Sequence, residues 1–346
     1  MVLGPPWTQH DASEPERIDP DLLLPRVREA AEQLVADLRR AEELTADWSD
    51  KALSDALVDD CLSRCMAFLS ATGYWGEANR LPSSELWRIA GAVLEVGWLQ
   101  HRARFKPRGY AGDFEMLARI CQETCCRDPL GRAFDRYFLR QAAPQAVRAR
   151  TEQTAAALAA ECLRRPAEAL RVVSVGSGPA LEVAAALAML PDQRRATVHV
   201  TLLDLDPDAL EFARGRLHPL LPGESLRCER ANLFRLPEMP RRAQLLGTPD
   251  FLVCAGLFDY LDDDAAAAML ALFWQRLAPG GLLLVGNFAP HNPTRAYMEW
   301  IGNWYLLYRM PEQMEQLAAR AGIPPHRLTI SSDRLGVDLF LVARKG

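Results

Sequence analysis

Apolar residues recur with two different periods in the two parts of this chain. Between about residues 20 and 162 they repeat every three or four positions, with Arg and Glu between them, as in the stretch from Leu22 to Leu38. This spacing predicts amphipathic helices, because one face of an α-helix recurs every 3.6 residues. The first part of the chain is therefore expected to be all-helical.

One loop, residues 105–113, interrupts the helical part. Pro107 removes a helical hydrogen bond, and Gly109 and Gly112 permit turns with positive φ. A helix is predicted to restart at Phe114. The polar side chains of this glycine-hinged loop make it a candidate lid over a ligand, with a purely structural turn as the alternative.

After about residue 165, short apolar runs alternate with helical patterns. This alternation predicts βαβ units and a mostly parallel sheet. We therefore expect a disordered tail at residues 1–20, a helical lobe or lid at 21–164 and an α/β domain at 165–346. The predicted strands are Val172 to Val175, Val198 to Leu203, Leu226 to Arg230, Phe251 to Cys254, Leu282 to Val285 and Leu339 to Val342.

Composition and charge exclude some classes of binding partner from the expectations. The net charge of -5 provides no basic field, so nucleic acid is not expected as a partner. No window holds the ~18 consecutive apolar residues of a membrane span, and residues 1–20 lack a signal-peptide pattern, so we expect a cytoplasmic protein without a membrane partner. The eight cysteines form no CxxC pair, so we expect no metal and reduced thiols. A homodimer is kept as an open expectation.

The first α/β unit contains a glycine turn. The strand ending at Val175 is followed by Gly176, Ser177 and Gly178 and then by the start of a helix. Such a turn lets a ligand approach bare backbone at a helix N-terminus. Structural loops and NAD sites contain similar turns, so the residues that follow decide its meaning.

An acidic residue stands where the second strand ends, about 28 residues after Gly176. Asp204 is in the position at which a carboxylate accepts hydrogen bonds from a ribose diol, with Leu205 beside it. Asp206 and Asp208 are better interpreted as cap and first-turn residues of the helix that begins near Ala209.

The third and fourth strands complete the pattern. Asn232 and Leu233 follow the third strand, where an amide can read the edge of an adenine and an apolar side chain can pack on its face; a local turn role for the Asn is the alternative. The fourth strand leads to Gly256 and a polar-aromatic loop. The turn Leu277-Ala278-Pro279-Gly280-Gly281 precedes the fifth strand.

In these residues, roughly 165–346, the chain resembles the class I methyltransferases. The resemblance implies a Rossmann-like α/β fold with a mostly parallel seven-stranded sheet and helices on both faces, and S-adenosyl-L-methionine as cofactor. The rival is an NAD enzyme, but Leu181 stands where the full GxGxxG fingerprint needs a third glycine. The implied cofactor-binding residues are Gly176, Ser177, Gly178, Asp204, Leu205, Asn232, Leu233 and Gly256.

A narrower resemblance is carried by the turn Gly176 to Ala180, the 107–113 loop, Gly256 to Leu261, and Gly286 to Phe288 through Asn292 to Thr294, with Trp304, Tyr308 and Arg309. These motifs look like a bacterial group of methyltransferases that make hydroxypalmitic acid methyl ester, the extracellular factor. This resemblance implies that Arg148 or Arg150 reaches the methionine carboxylate of the cofactor. A solvated basic helix face is the alternative.

The acceptor site is expected at the carboxyl ends of the strands, in the loops after the fourth and fifth. There Asp259 and Tyr260 are candidates for orienting an acceptor, and His291 is a candidate general base, with a surface role as its alternative. Arg108, with Tyr110 in the same loop, and Arg309 are candidates for clamping an acceptor carboxylate, with interlobe ion pairs as the alternative. A helically spaced aromatic set is expected to pack on the core or wall the acceptor pocket: Tyr297, Trp300, Trp304, Tyr305 and Tyr308.

The sequence thus predicts an enzyme, a methyltransferase acting on an O or N atom of a small molecule. A carboxylic acid acceptor, giving a methyl ester, is favoured by the narrower resemblance. An amino or guanidino acceptor is the close alternative. A cofactor-binding protein without catalysis belongs to a different class and is retained as a third reading, because fold does not fix function.

Overall fold

The computed structural model describes residues 17–165 and 168–346, which form two compact units. The helical unit comprises the described residues up to Gln145 together with Pro293–Tyr305. The α/β unit comprises the described parts of Ala146–Asn292 and Leu306–Gly346. The tail predicted at residues 1–20 falls mostly outside the described residues. The domain boundary expected at residue 164/165 stays a prediction.

The order of elements follows the predicted change of period. The α-helices are α1 (Pro20–Leu44), α2 (Lys51–Ala71), α3 (Arg80–Leu94), α4 (Trp98–Phe105), α5 (Phe114–Cys121), α6 (Pro129–Leu139), α7 (Ala142–Arg164), α8 (Leu181–Ala188), α9 (Asp192–Arg195), α10 (Pro207–Leu217), α11 (Pro240–Ala243), α12 (Asp263–Arg276) and α13 (Pro311–Arg320). The strands are β1 (Leu170–Val175), β2 (Val198–Asp204), β3 (Leu226–Arg230), β4 (Phe251–Cys254), β5 (Leu282–Phe288), β6 (Leu328–Ser332) and β7 (Asp338–Arg344). Short 3-10 turns lie at Gly76–Asn79, Gly223–Ser225, Leu233–Glu238, Gln244–Leu246, Phe258–Tyr260 and Pro325–Arg327, and a π-helical turn at Tyr297–Ile301.

The seven strands form one sheet in the order β3-β2-β1-β4-β5-β7-β6. β1 to β5 pair in parallel, while β7 is antiparallel to both of its neighbours. The predicted mostly parallel α/β sheet is therefore confirmed. β6 was not among the predicted strands because its sequence, Leu-Thr-Ile-Ser-Ser, is largely polar. Its residues alternate between partly buried and exposed positions.

Aspartates begin many of the helices. Asp206 is the N-cap of α10 and accepts a hydrogen bond from the Asp208 N–H at 2.9 Å, as the sequence predicted. Asp113 caps α5, which begins at Phe114 as predicted, by accepting from the Glu115 and Met116 amides. A carboxylate there satisfies amides that have no partner inside the helix and complements the helix dipole.

The two units have separate cores. In the helical unit α1 packs against α2 and α3, and its buried stripe has the predicted spacing: Leu23, Val27, Ala31, Leu34, Leu38 and Ala41. In the α/β unit, buried residues of α7, α8 and α10 share one apolar cluster with β1, β2, β4 and β5. No helix in the described ranges combines the length and the apolarity of a bilayer-crossing segment.

The aromatic segment after β5 departs from its predicted regular spacing. Tyr297 and Trp300 lie in the π-helical turn, whereas residues 303–310 form no helix. The helical spacing of Trp304, Tyr305 and Tyr308 was therefore coincidental. Within the helical unit this segment is anchored by Glu299, whose buried carboxylate accepts from the Gly76 N–H at 2.7 Å.

Replacing Gly286 with Ala is expected to lower the free energy of unfolding by about 1–3 kcal/mol. A Cβ at this β5 position would lie 2.4 Å from the carbonyl oxygen of Ala255, so a strand must shift. Gly215→Ala in α10 is the matched control, because a Cβ there meets nothing within 4 Å and Ala favours helix. Urea unfolding curves measure both, and an equal loss in the two variants would contradict the steric account.

Candidate functional site

The glycine turn after β1 is held in a conformation that favours glycine. Gly176 has φ +65° and Gly178 has φ +47°, both in the left-handed region. The Gly176 and Ser177 amides donate to the carbonyl oxygen of Leu203 at 2.8 and 3.2 Å. The turn therefore lies against the end of β2, with α8 beginning at Leu181 directly after it.

Asp204 ties this turn to the second strand. Its Oδ2 accepts from the Gly178 N–H at 2.8 Å, and its Oδ1 accepts from the Asp206 N–H at 3.0 Å. The carboxylate is 7% exposed, and burial raises the pKa of Asp204. Asp204 thus lies at the turn, as its position after β2 predicted.

Ser177 supplies a polar atom that the protein leaves unused. The residue is buried, and its Oγ has no hydrogen-bond partner in the described structure. A buried hydroxyl without a partner is costly. A hydrogen-bonding ligand at the turn would remove this cost.

Apolar side chains lie next to the same turn. A Cβ at Gly176 would be 3.6 Å from Leu233 Cδ1 and 3.7 Å from Leu257 Cβ. Leu233 is buried, whereas Asn232 is exposed and makes no cap hydrogen bond to the short helix that follows it. The local turn role considered for Asn232 stays an open alternative to its role at an adenine edge. Leu205 is also exposed.

Arg150, on α7, forms the centre of a buried charge cluster. Its Nη1 lies 3.3 Å from Asp338 Oδ2 and 3.8 Å from Asp259 Oδ2. The Oδ1 of Asp259 also accepts from the Phe288 N–H at 2.7 Å. Two buried carboxylates therefore share one guanidinium, and the implied pairing of Arg148 or Arg150 with the methionine carboxylate stays a prediction.

The cluster lies at the carboxyl edge of the parallel strands. Asp259 follows β4, Phe288 ends β5, and Asp338 begins the antiparallel β7 opposite Phe288. A Cβ at Gly256, the predicted loop glycine, would be 3.3 Å from Arg150 Nη2. Gly256 therefore leaves space for the guanidinium.

Both acids of the cluster favour their protonated form. Burial raises the pKa of Asp259 to about 6, although the charges of Arg150 and Arg309 oppose the rise. Burial also raises the pKa of Asp338 well above its ordinary value, and the nearby Asp259 charge adds to the rise. Burial thus favours the neutral form of both acids, while the charge of Arg150 favours their ionised form.

The guanidinium of Arg309 donates hydrogen bonds to residues after β4 and at β5, within its own unit. Its Nε and Nη2 donate to Asp263 Oδ1, and its Nη2 also donates to the carbonyl of Leu261. Its Nη1 donates to Asn287 Oδ1 at 2.6 Å and to the carbonyl of Phe258 at 2.9 Å. These bonds occupy all five guanidinium N–H groups. Arg309 therefore has no donor left for the predicted acceptor clamp.

The remaining predicted residues lie in different environments. Tyr260 is partly buried in the 3-10 turn after β4, and His291 is exposed after β5. In the helical unit, Arg108 pairs with Glu115 at 2.9 Å, while Asp113 pairs with Arg102 at 2.7 Å. The candidate lid loop thus carries ion pairs inside its own unit. The catalytic roles of Arg108, Tyr110, Tyr260 and His291 stay predictions.

Asp338 was missed by the sequence reasoning. The available signal was an acid at the first position of an otherwise apolar run, Asp-Leu-Phe-Leu-Val-Ala. Only the antiparallel pairing of β7 with β5 brings this acid to the same edge as Asp259.

Comparison with known proteins places the fold. No protein-family model matches the chain, and no curated protein matches it in sequence. Among solved structures, a possible exported protein from Bordetella parapertussis aligns with a TM-score of 0.54 and 22% identity, over 67% of this chain and 79% of that one. The CurJ carbon methyltransferase aligns with a TM-score of 0.50 and 12% identity, over 94% of this chain and 93% of that one. The fold is that of a class I methyltransferase.

Unfolding measured against pH is expected to show the raised pKa of Asp259. A carboxyl whose pKa is higher in the folded than in the unfolded state stabilises the protein at low pH and loses that contribution as the pH rises through the folded value. Stability from this group should therefore fall between about pH 4 and 6, by roughly 2–3 kcal/mol. Asp259→Asn, which keeps the acceptor for the Phe288 N–H, should reduce this slope; an unchanged slope would contradict the assignment.

Arg309→Leu is expected to destabilise the protein by about 3 kcal/mol, because Asn287 Oδ1 and the carbonyl oxygens of Phe258 and Leu261 lose their bonds to a buried guanidinium. Arg227→Leu removes an exposed ion pair with Glu229 and should cost less than ~1 kcal/mol. Chemical unfolding of both variants gives the comparison. A negligible effect of Arg309→Leu would restore its availability as a ligand clamp.

Proposed function

We propose that this protein is an S-adenosylmethionine-dependent methyltransferase that methylates an O or N atom of a small molecule. One observation supports the proposal most: within a class I methyltransferase fold, the Asp204 carboxylate is held at the glycine turn by the Gly178 amide at 2.8 Å. An acid fixed beside a glycine turn is the arrangement expected for a nucleoside ligand.

The residues at the turn fit the cofactor chemically. A carboxylate has about four lone-pair positions, and the Gly178 and Asp206 amides leave some of those on Asp204 for a ribose diol. Ser177 Oγ offers a further buried hydrogen bond, and Leu233 and Leu257 offer apolar surface for an adenine. Asn232, exposed beside Leu233, is the proposed reader of the adenine edge. S-adenosylmethionine, when bound, supplies a methyl group activated on a sulfonium.

The protein's part in such a displacement is to align the acceptor and exclude water. A carboxylate acceptor needs no base, while a hydroxyl or amine that carries a proton does. His291 is exposed, as a base that serves an incoming acceptor must be, and Tyr260 lies in the neighbouring loop. We retain both as proposed acceptor-site residues, while the roles predicted for Arg108 and Tyr110 stay predictions.

A carboxylic acid is the first acceptor class to test, as the resemblance to the extracellular-factor group implies. One observation favours the amine alternative: Asp259 and Asp338 outnumber Arg150 in the buried cluster at the carboxyl edge. The carboxyl oxygens of these acids accept hydrogen bonds, which an amine N–H can donate and a carboxylate cannot. Labelled methyl transfer to panels of acids and amines separates the two, because methyl esters release their label in alkali and methylated amines do not.

Calorimetric titration with S-adenosylhomocysteine, with NAD in parallel, is the direct test of the cofactor. We expect saturable binding of the nucleoside and none of NAD. Asp204→Asn should weaken binding at least ~10-fold, because hydrogen bonds to a charged acceptor are lost.

Asp206→Asn, two residues along, is the control. Asn caps a helix about as well as Asp, so nucleoside binding should be nearly unchanged. Failure of the wild-type protein to bind S-adenosylhomocysteine would overturn the proposed function. Equal weakening in the two variants would overturn the role of Asp204.

A further inference from the structure

A half-buried arginine in the helical unit has no acidic partner among the residues that the structure describes. Arg104 Nη1 donates to Ser83 Oγ at 2.7 Å and to the carbonyl of Trp300 at 3.3 Å, and its Nη2 donates to the carbonyl of Ser83 at 3.2 Å. All of these acceptors are neutral, and burial lowers the pKa of Arg104 to about 10. Its charge is therefore uncompensated within the described residues.

Two more cations accompany it. Burial lowers the pKa of Lys106, and the charges of Arg80 and Arg104 lower it further, which places the three cations in one cluster. Arg80 lies over the ring of Tyr305, with its guanidinium carbon 4.8 Å from the ring centroid. The cluster thus joins the start of α3, the end of α4 and the segment after the π-helical turn.

The acids near this cluster already form ion pairs with other arginines. Glu77 pairs with Arg80 at 2.5 Å. Glu299 pairs with Arg295 at 2.7 Å and also accepts from the Gly76 amide. Arg104 and Lys106 are left with two positive charges and no carboxylate among the described residues.

Several buried polar groups in the same region also have no hydrogen-bond partner. They are the hydroxyl of Tyr305, the indole N–H of Trp300 and both side-chain atoms of Asn79. Asn79 and Trp300 are fully buried, and Asn79 lies one helical turn before Ser83. Burial raises the pKa of Tyr305, so its hydroxyl remains a donor. Unused donors beside uncompensated cations are what an oxyanion requires.

We propose that the helical unit binds an oxyanion, the carboxylate or phosphate group of a small molecule, through Arg104, Lys106 and Tyr305. Arg104 is fixed by Ser83 and the Trp300 carbonyl and supplies the central charge. Lys106 supplies a second charge, and Tyr305 donates a hydrogen bond. This site does not depend on methyl transfer. An acid acceptor and a phosphorylated metabolite are its two chemical sources.

The test uses the full-length protein without any cofactor. Sodium phosphate, acetate and hexanoate are titrated by calorimetry at constant ionic strength against a chloride background. We expect saturable binding of at least one oxyanion that weakens with added salt. Preference for hexanoate or for phosphate then distinguishes the two sources. Absence of saturable binding for all three probes would overturn the proposal.

Matched variants locate the site. Tyr305→Phe removes only the hydroxyl, which lies beside Ser83, so the fold should persist while affinity falls about 10-fold. Lys106→Gln should weaken binding about 5-fold and flatten the salt dependence. Tyr74→Phe and Lys51→Gln make the same exchanges elsewhere in the helical unit and should leave affinity unchanged. Equal losses in these controls would overturn the assignment of the site.

Discussion

The hydrogen bond from the Gly178 amide to Asp204 Oδ2 connects the first two strands at the point where both end. The backbone adds to this connection, since the Gly176 and Ser177 amides bind the Leu203 carbonyl and the Ala231 amide binds the Asp204 carbonyl. The ends of β1, β2 and β3 are therefore fixed to one another by a single short stretch of β2. A ligand at this edge meets a rigid turn, which reduces the ordering that binding would otherwise require.

Three arginines in the interior of the molecule differ in the kind of partner that surrounds the guanidinium. Arg309 has every N–H satisfied and serves only to hold the loops after β4 and β5. Arg150 is shared by Asp259 and Asp338, and burial raises the pKa of both acids although the charge of Arg150 opposes the rise. Arg104, in the helical unit, has neutral partners only. An uncompensated charge in the interior is costly, and acids with raised pKa values are common at functional sites. The surroundings of Arg104 and of Arg150 are therefore the ones that point to ligands.

Local patterns predicted the α/β fold and the turn because their causes are local. The φ of Gly176 and Gly178, the caps at Asp113 and Asp206, and the alternation of strand and helix each depend on a few neighbouring residues. The hydrogen-bond and ion-pair partners of the arginines could not be predicted in this way. Arg309, Arg150 and Arg104 have the same side chain, and their partners come from residues tens to hundreds of positions away in sequence.

The sequence by itself determined the parallel sheet, its glycine turn and the position of Asp204 beside it, because hydrophobic period, positive φ and strand ends are properties of short segments. Tertiary structure alone decided that β7 runs antiparallel to β5 and so brings Asp338 to Arg150. It also decided that Arg309 donates all of its N–H groups to acceptors inside its own unit, while Arg104 donates only to neutral oxygens. Charge compensation depends on which distant groups are buried together, and no local pattern records that.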